Sequence, residues 1–515
     1  MSRRLFQFRG GIKLPGFKSQ STQAPIQDIP VAPQLVFPLR QHIGEPSEPV
    51  VAVGENVYKG QLIARSTGYV SAPVHASSSG VVTAIEPRTV PHPSQSTEMC
   101  IVIDTDGKDQ WLPGIEPELR PENLSVDTLR KRIRDAGVVG LGGAVFPAAA
   151  KLKPTREIST LVINGVECEP FITCDDMLMR SHPEQVIRGA FIVNRMVNAY
   201  EIVIAIEDNK PHAYNAMVTT VKKFRDAGVL TANSIEIVKV PTQFPAGGEK
   251  QLIKVLTGKS VPSKSLPYEV GVVCINVGTA AAIYQAIYNN KPLVSRIVTV
   301  SGHNVKNPGN YFVPIGTPMA FVIEQAGGAK QKPFRIIMGG PMMGFNISST
   351  QTPVVKATNN LLIDYCEQTP VHSMPCIRCG ACESSCPMHL MPQQLYWHAR
   401  ADAFKQLQRY HIDDCIECGC CAVVCPSHIP LVQYFRYGKT QLRSQERQHK
   451  KAEVSRIRNE QRLARIERQK QEKAARKSKR GLRKRKAPTS QGDTDTQSVK
   501  TESNVDNPSK QVSTG

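Results

Sequence analysis

Cys376-Ile-Arg-Cys379-Gly-Ala-Cys382-Glu-Ser-Ser-Cys386-Pro387 and Cys415-Ile-Glu-Cys418-Gly-Cys-Cys421-Ala-Val-Val-Cys425-Pro426 are two copies of one pattern. Each reads C-x2-C-x2-C-x3-C-P, the spacing that holds a [4Fe–4S] cluster. Two residues between thiolates make a turn that brings three sulfurs to one centre. In two-cluster proteins of this type the fourth cysteine of a run serves the other cluster. The spacing therefore assigns Cys376, Cys379, Cys382 and Cys425 to one cluster, and Cys415, Cys418, Cys421 and Cys386 to the other. Zinc sites take cysteines in pairs rather than in runs of four closed by proline. Disulfides need an oxidising compartment, and residues 1–11 (MSRRLFQFRGG) lack the apolar core of a signal peptide. Cys420 lies inside the second run but off the spacing and reads as a packed thiol. Such clusters pass one electron at a time, so the rest of the chain has to supply a source and a destination.

Between the runs lie residues 387–414, whose segments 393–402 and 404–410 have helical character. This link is too long for a minimal ferredoxin, and an α-helical two-cluster ferredoxin domain over 366–437 is expected. His389 and His428 follow the two motifs, but each cluster already has four cysteines, so neither is expected as a ligand. Beyond, residues 441–515 carry 21 basic against 9 acidic side chains, a net +12 of the chain's +20. Glu446, Glu453, Glu460 and Glu467 recur there among Lys and Arg without a large apolar stripe. This basic tail reads as a solvated single helix or as disorder, and residues 487–515 as disorder. Its run 476–486 suits anionic lipid, at about 1 kcal/mol per basic residue near a surface. Without aromatics to stack bases, no nucleic acid is expected.

The chain has 515 residues, 40% hydrophobic and 6% aromatic, as a multidomain globular protein requires. No apolar run approaches the ~18 residues of a membrane span. The six cysteines outside the motif spacing (Cys100, Cys168, Cys174, Cys274, Cys366 and Cys420) are scattered, as reduced and mostly buried thiols are. A cytosolic location is expected.

The N-terminal half is α/β. Residues 1–30 read as an extended arm packed on the body. Residues 31–115 hold short β runs with Gly54, Gly60 and Gly80 at the corners, pointing to a small sandwich or barrel. From 120 to 290, strands at 161–164, 201–206 and 235–240 alternate with helices at 124–136, 184–198 and 211–227. That order predicts a doubly wound, mostly parallel sheet. Ligands in such folds sit at the carboxyl ends of strands. Two clusters follow strand ends, Asn164-Gly-Val-Glu-Cys-Glu-Pro170 and 241–249. The loop Gly137-Val-Val-Gly-Leu-Gly-Gly-Ala-Val-Phe-Pro147 reads either as plain turns or as a phosphate cradle leading into a helix. Residues 293–345 return to strands around tight glycine turns.

These segments carry a resemblance. Residues 50–82, with G-x-x-V-x-K-G-Q and then S-A-P-V-H-A-S-S-S-G-V-V, resemble the lipoyl/biotinyl barrel-sandwich hybrid. Where that family carries its lysine the run is Ala72-Pro-Val-His-Ala-Ser77, so a docking module rather than a swinging cofactor is implied. Residues 137–151, 164–170, 244–249 and 276–279 resemble, in order and spacing, the flavin and NADH segments of the NADH-oxidising subunit of respiratory complex I. Leu141, Val145, Val166, Phe244, Gly248 and Ile275 depart from that pattern. The resemblance implies that FMN and NAD(H) are bound by Gly140, Gly142, Gly143, Lys151, Asn164, Glu167, Glu169, Gly247, Glu249, Asn276 and Thr279. Residues 293–345 are similar to the β-grasp (SLBB-like) module linking flavin and cluster domains in the same family.

The whole order (barrel-sandwich, flavin-type α/β domain, β-grasp, two-cluster domain, basic tail) resembles the C-subunit family of Rnf (Rsx) electron-transport complexes over about residues 1–440. That resemblance implies a peripheral subunit on the cytoplasmic side of the bacterial inner membrane. It implies an NADH:ferredoxin-type oxidoreductase whose integral-membrane and electron-carrier partners couple electron flow to ion translocation. The departures motivate a second expectation, a ferredoxin-like relay whose α/β domain is scaffold without flavin.

Overall fold

A computed structural model describes residues 3–228, 235–366 and 372–484, the last six by backbone alone. The chain divides into two compact units, Met1–Gln441 and Leu442–Gly515.

Within the first unit the barrel-sandwich pairs two small sheets. One orders strands Gln34–Pro38, Thr97–Thr105, Gly80–Thr89 and Asn56–Val57; the other pairs Glu48–Pro49, Leu62–Arg65 and Val74–His75. Their inner faces bury Leu35, Phe37, Ile63, Ile101 and Ile103. The segment where a lipoyl-type lysine would stand is no exposed tip. His75 is buried, and the Pro73 carbonyl accepts from Lys356 Nζ at 2.8 Å. Lys356, from the β-grasp, also donates to the Gly137 carbonyl at 2.7 Å. The barrel thus docks through its tip against the start of the glycine loop.

The second layer is a four-stranded, all-parallel sheet. From edge to edge it runs Ile235–Val240, Glu201–Glu207, Thr160–Gly165, Val272–Asn276. Near-continuous Val and Ile runs fit strands covered on both faces, and Val162, Ile163, Val203 and Ile204 are fully buried. Helix Val126–Asp135 starts where Ser125 accepts from the Thr128 N–H, a cap worth about 1 kcal/mol. Helices Pro183–Val197 and Pro211–Asp226 each open on a proline, whose missing N–H costs nothing there.

The β-grasp sheet is wider than the sequence pattern suggests. Its six strands include Asn360–Tyr365, beyond residue 345, placed between Ser295–Ser301 and Phe334–Met338. Gln27–Asp28 of the arm forms an edge by pairing in parallel with Gly309–Pro314. The arm is also tied to the α/β domain: Arg3 meets Glu201 and, at 2.8 Å, Glu236.

Helices Pro392–Arg400 and Phe404–Arg409 fill the link between the cysteine runs. A 54-residue helix, Leu431–Lys484, follows the second run. In the second unit it is exposed along nearly its whole length, including Val454, Ile457 and Leu463. Arg456 there pairs with Glu453 at 3.9 Å and Glu460 at 3.6 Å. Of the two readings of the tail, the helix forms through residue 484; residues 487–515 and the side chains of 479–486 lie outside the described residues. Among the described residues, no helix is long and apolar enough to cross a membrane.

Candidate functional site

The cysteine runs fold as two turns of one shape, offset by the distance from Cys376 to Cys415. In each, the second residue after the first cysteine has positive φ (Arg378 56°, Glu417 57°). A left-handed glycine follows the second cysteine (Gly380 78°, Gly419 81°), and one helical turn comes next, Ala381–Ser384 or Cys420–Val423. His389 (φ 55°) and His428 (φ 49°) close the two copies with N–H bonds to the carbonyls of Cys386 and Cys425. The repeated backbone aims three sulfurs of each run inward and carries the fourth across to its partner. One small cavity is lined by Cys376, Cys379, Cys382 and Cys425. The second is lined by Cys386, Cys415, Cys418 and Cys421.

The chemistry of these donors suits an iron–sulfur cage. None of the fourteen cysteines is in a disulfide. Gln393 Nε2 lies 3.6 Å from Cys376 Sγ, and the Glu417 N–H lies 3.4 Å from Cys415 Sγ. Burial pushes the Cys415 thiol up to about 11. A bound cation would favour its thiolate. Cys420, fully buried, lines neither cavity and packs with Phe244 and Cys418.

The strand-end site is built around the glycine loop. Gly142, Gly143 and Ala144 are exposed, and Gly143 (φ 104°) has open space where a Cβ would stand. Behind the loop, the Leu141 N–H donates to Thr279 Oγ1 at 2.9 Å, and Thr279 itself is buried. Asn276 Oδ1 caps the helix Val277–Tyr288 by accepting from the Gly278 N–H at 2.8 Å. Its amide reaches Asp175 at 2.6 Å. Asn164 Nδ2 donates to the Gly247 carbonyl at 2.9 Å. Gly247 is required there, since a Cβ would stand 2.1 Å from the Val166 carbonyl. Lys151, just past the glycine loop, and Glu249, at the end of a strand-end segment, are both partly exposed and meet at 2.5 Å. An open glycine trough with one accessible lysine fits a phosphate-bearing flavin.

Two predicted residues face elsewhere. Glu167 is buried; its Oε1 accepts from the Asp175 N–H at 2.9 Å, and Lys18 Nζ stands 4.0 Å from Oε2. Glu169 turns to the β-grasp and accepts from the N–H groups of Met342 (2.7 Å) and Met343 (2.9 Å). Desolvation pushes its carboxyl up. Asp175, which the sequence pattern does not single out, lies beside Glu167, and burial with that like charge pushes it up to about 7. Lys18, equally inconspicuous in the sequence, caps the strand-end loop. Its ammonium donates to the carbonyls of Glu167, Glu169 and Ile172 at 2.7, 3.0 and 2.7 Å. A single lysine in a polar arm gives no local signal for such a role; the acidic pair Asp175-Asp176, just past the strand-end loop, is the visible clue to the other.

The second cysteine run adjoins the strand-end loops. Phe244, from a strand-end loop, packs with Cys418 and Cys420, and Cys168, Met342 and Ile416 pack against that group. The arm straps them: Ile12 and Phe244 exchange backbone hydrogen bonds at 2.8 and 2.9 Å, and the Gly11 N–H donates to the Ser385 carbonyl at 2.9 Å. The second cavity thus borders the α/β domain. Around the first, Met374 and Ile377 are 61% and 67% exposed.

Four family descriptions match along the chain. They are the RnfC barrel sandwich hybrid domain at 6–108, the Nuo51 FMN-binding domain at 133–285, the SLBB domain at 297–346 and the 4Fe-4S dicluster domain at 375–429. The chain is similar to the C-subunit of the ion-translocating oxidoreductase complex of Pseudomonas aeruginosa, 46% identical over 92% of this chain and 60% of that one. It is similar to the protein of the same name from Haemophilus influenzae strain 86-028NP, 43% identical over 91% of this chain and 70% of that one. It therefore spans between three-fifths and about seven-tenths of these relatives' length. A chain of an NAD+-reducing [NiFe]-hydrogenase aligns with a TM-score of 0.47 at 18% identity, over 60% of this chain and 62% of that one.

Proposed function

The chain belongs to the C-subunit family of ion-translocating oxidoreductase complexes, and on that premise we propose that it exchanges electrons between NADH, FMN and two [4Fe–4S] clusters. Membrane partners then couple that flow to ion movement, as an NADH:ferredoxin-type translocase, and the chain sits peripherally on the cytoplasmic face. Its basic tail helix adds attraction to anionic lipid. FMN links a two-electron hydride donor to one-electron carriers, and the clusters are those carriers.

The residues divide the work. Gly140, Gly142 and Gly143 let the backbone approach the flavin phosphate, and Lys151 supplies positive charge to it. Asn276 and Thr279 fix the loop from behind, while Asn164 and Gly247 hold the two strand-end segments together. Glu249, beside Lys151, closes the far side. Cys386, Cys415, Cys418 and Cys421 hold the cluster nearer the flavin domain; Cys376, Cys379, Cys382 and Cys425 hold the outer one. Phe244 and Met342 fill the gap and keep water out of it.

One observation carries this reading: each cavity gathers its four sulfurs from both runs, and the cavity holding Cys418 abuts the strand-end loops. The test is anaerobic purification followed by metal, sulfide and flavin analysis, then reduction by NADH with ferricyanide as acceptor. About eight iron atoms and about one FMN per chain, with NADH-dependent turnover, are expected. Zinc in the cages would overturn the proposal. Iron without flavin or NADH turnover would replace it with the relay reading.

A further inference from the structure

Away from the cysteine cages and the glycine trough, a cavity of about 290 Å³ opens to solvent where the barrel, the α/β domain and the β-grasp meet. The proposed electron path does not use it. Leu141 of the glycine loop and Gly278 of the helix Val277–Tyr288 line it, so it borders the loop, while Gly142, Gly143, Lys151 and Glu249 are not among its lining residues. Helix Val277–Tyr288 forms one wall through Ala281; Leu293 and Phe312 form another.

Polar groups gather at two places. Trp111 stands with the ammonium groups of Lys59 and Lys291 at 5.2 and 5.0 Å from its ring centroid. Lys59 is braced by Asp109 at 2.5 Å, and Lys291 is exposed. Deeper in, Arg296 is buried with its guanidinium 3.4 Å from the Leu141 carbonyl. Lys59, Lys291 and Arg296 thus line the cavity with Asp175; with Asp109 paired to Lys59, the cations outnumber the carboxylates by one. Gln185 and Gln285, joined at 3.1 Å, add amide groups.

Apolar walls, an aromatic ring and excess positive charge select a ligand with a flat apolar body and an anionic end. Ligand sites begin at about 300 Å³, so a one- or two-ring molecule is the size that fits. We propose that this cavity binds a small aromatic acid, its rings against Ala281 and Leu293 and its anionic group between Lys59 and Lys291. Because Leu141 belongs both to this lining and to the glycine loop, an occupant bears on the loop.

The experiment is calorimetric titration of the full-length, cofactor-loaded chain with 2-naphthoate, with 2-naphthylmethylammonium as the cationic control. One naphthoate per chain and no binding of the cation are expected. Lys291→Glu reverses an exposed charge at the mouth and should weaken naphthoate about tenfold or more. Ala281→Trp fills the space and should abolish binding; unchanged thermal unfolding excludes a folding defect. Lys151→Ala, in the glycine trough, should leave naphthoate binding intact. Equal binding of the cation, no binding of naphthoate, or affinity unchanged in both cavity variants would each overturn the proposal. Loss in Lys151→Ala alone would move the ligand to the trough and overturn it as well.

Discussion

Glu169 Oε1 accepts the backbone N–H of Met342 at 2.7 Å and so joins a strand-end loop of the α/β domain to the turn of the β-grasp that touches the second cysteine run. The Met342 carbonyl lies 3.0 Å from where a Gly419 Cβ would stand, so the joint passes directly onto a cluster loop. Glu169→Ala removes the acceptor of the half-buried Met342 N–H and the exposed Met343 N–H, at a cost of about 1 kcal/mol. NADH should still reduce the flavin at an undiminished rate in this variant, while cluster reduction slows. Glu169→Gln keeps the acceptor oxygen and should restore it. Stopped-flow absorbance, following flavin and clusters separately, checks both.

Lys151 is the accessible cation of the trough, paired with Glu249 at 2.5 Å. Lys151→Glu puts a repelling charge where a phosphate would lie, and flavin content should fall about tenfold or more with iron unchanged. Flavin and iron analysis of the same preparation reads both numbers. Glu249→Gln frees the lysine from its carboxylate and should keep flavin bound.

How much of this is visible in the sequence follows from range. Cysteine spacing is local, and so are the Ser125 cap and the Val/Ile runs of the parallel strands; all are legible. The complex I-like segments are legible as a series of short patterns, each at a strand end. What escapes depends on partners far along the chain. Gln27–Asp28 is a strand only because Gly309–Pro314 offers an edge. Asn360–Tyr365 enters the β-grasp only between two other strands. Glu169 looks like a flavin ligand because its neighbours match that pattern, yet its carboxylate is taken by backbone donors more than 170 residues away. Lys356 gives no signal, because burial of a lysine is decided by the carbonyls that surround it.

The Lys210–Glu207 pair is fully buried beneath the strand-end loop, and Lys210 also donates to the Glu167 carbonyl at 3.2 Å. Lys210→Met strands the Glu207 carboxylate in the interior and should cost about 3–5 kcal/mol. Adding Glu207→Leu removes the orphaned charge and should recover most of that loss. Urea midpoints of the two variants test this; equal loss in single and double variants would contradict it.

The barrel should loosen in mild acid. His42 is held down to about 4 and His75 to about 3, mainly by burial, with Lys356 as the chief like-charged neighbour of both and Arg40 a further one for His42. His42 Nε2 is paired with Ser71 Oγ at 2.9 Å. In the unfolded chain both rings take a proton near 6.5. The unfolded state therefore binds more protons between the two values, and stability is present above about 6.5 and lost as pH falls toward 4. Each ring contributes a slope of up to about 1.4 kcal/mol per pH unit. Lys356 is pushed down to about 7 by burial, so it adds to the slope, in the same direction, only at the top of this window and is charged in both states below it. Urea midpoints followed by Trp111 emission in a Trp397→Phe background should fall across that range, and His75→Gln should flatten the curve.

Crossed ligation gives the cages their sharpest test. Cys386 belongs by sequence to the first run, but its sulfur lines the cavity of the second. Cys386→Ala should therefore destroy the cluster of Cys415, Cys418 and Cys421, bringing iron to about half, and should leave the cluster of Cys376, Cys379 and Cys382 in place. Cys425→Ala should do the reverse. The two losses differ in consequence, because the cavity holding Cys386 lies beside Phe244 and the other does not. Without the nearer cluster, the outer one should fail to be reduced by NADH although dithionite still reduces it. Without the outer cluster, NADH should still reduce the nearer one, and only transfer to the partner should stop. Electron paramagnetic resonance after each reductant separates the cases. Should Cys386→Ala abolish the signal of the first run instead, each run would hold its own cluster and the crossed assignment would fail.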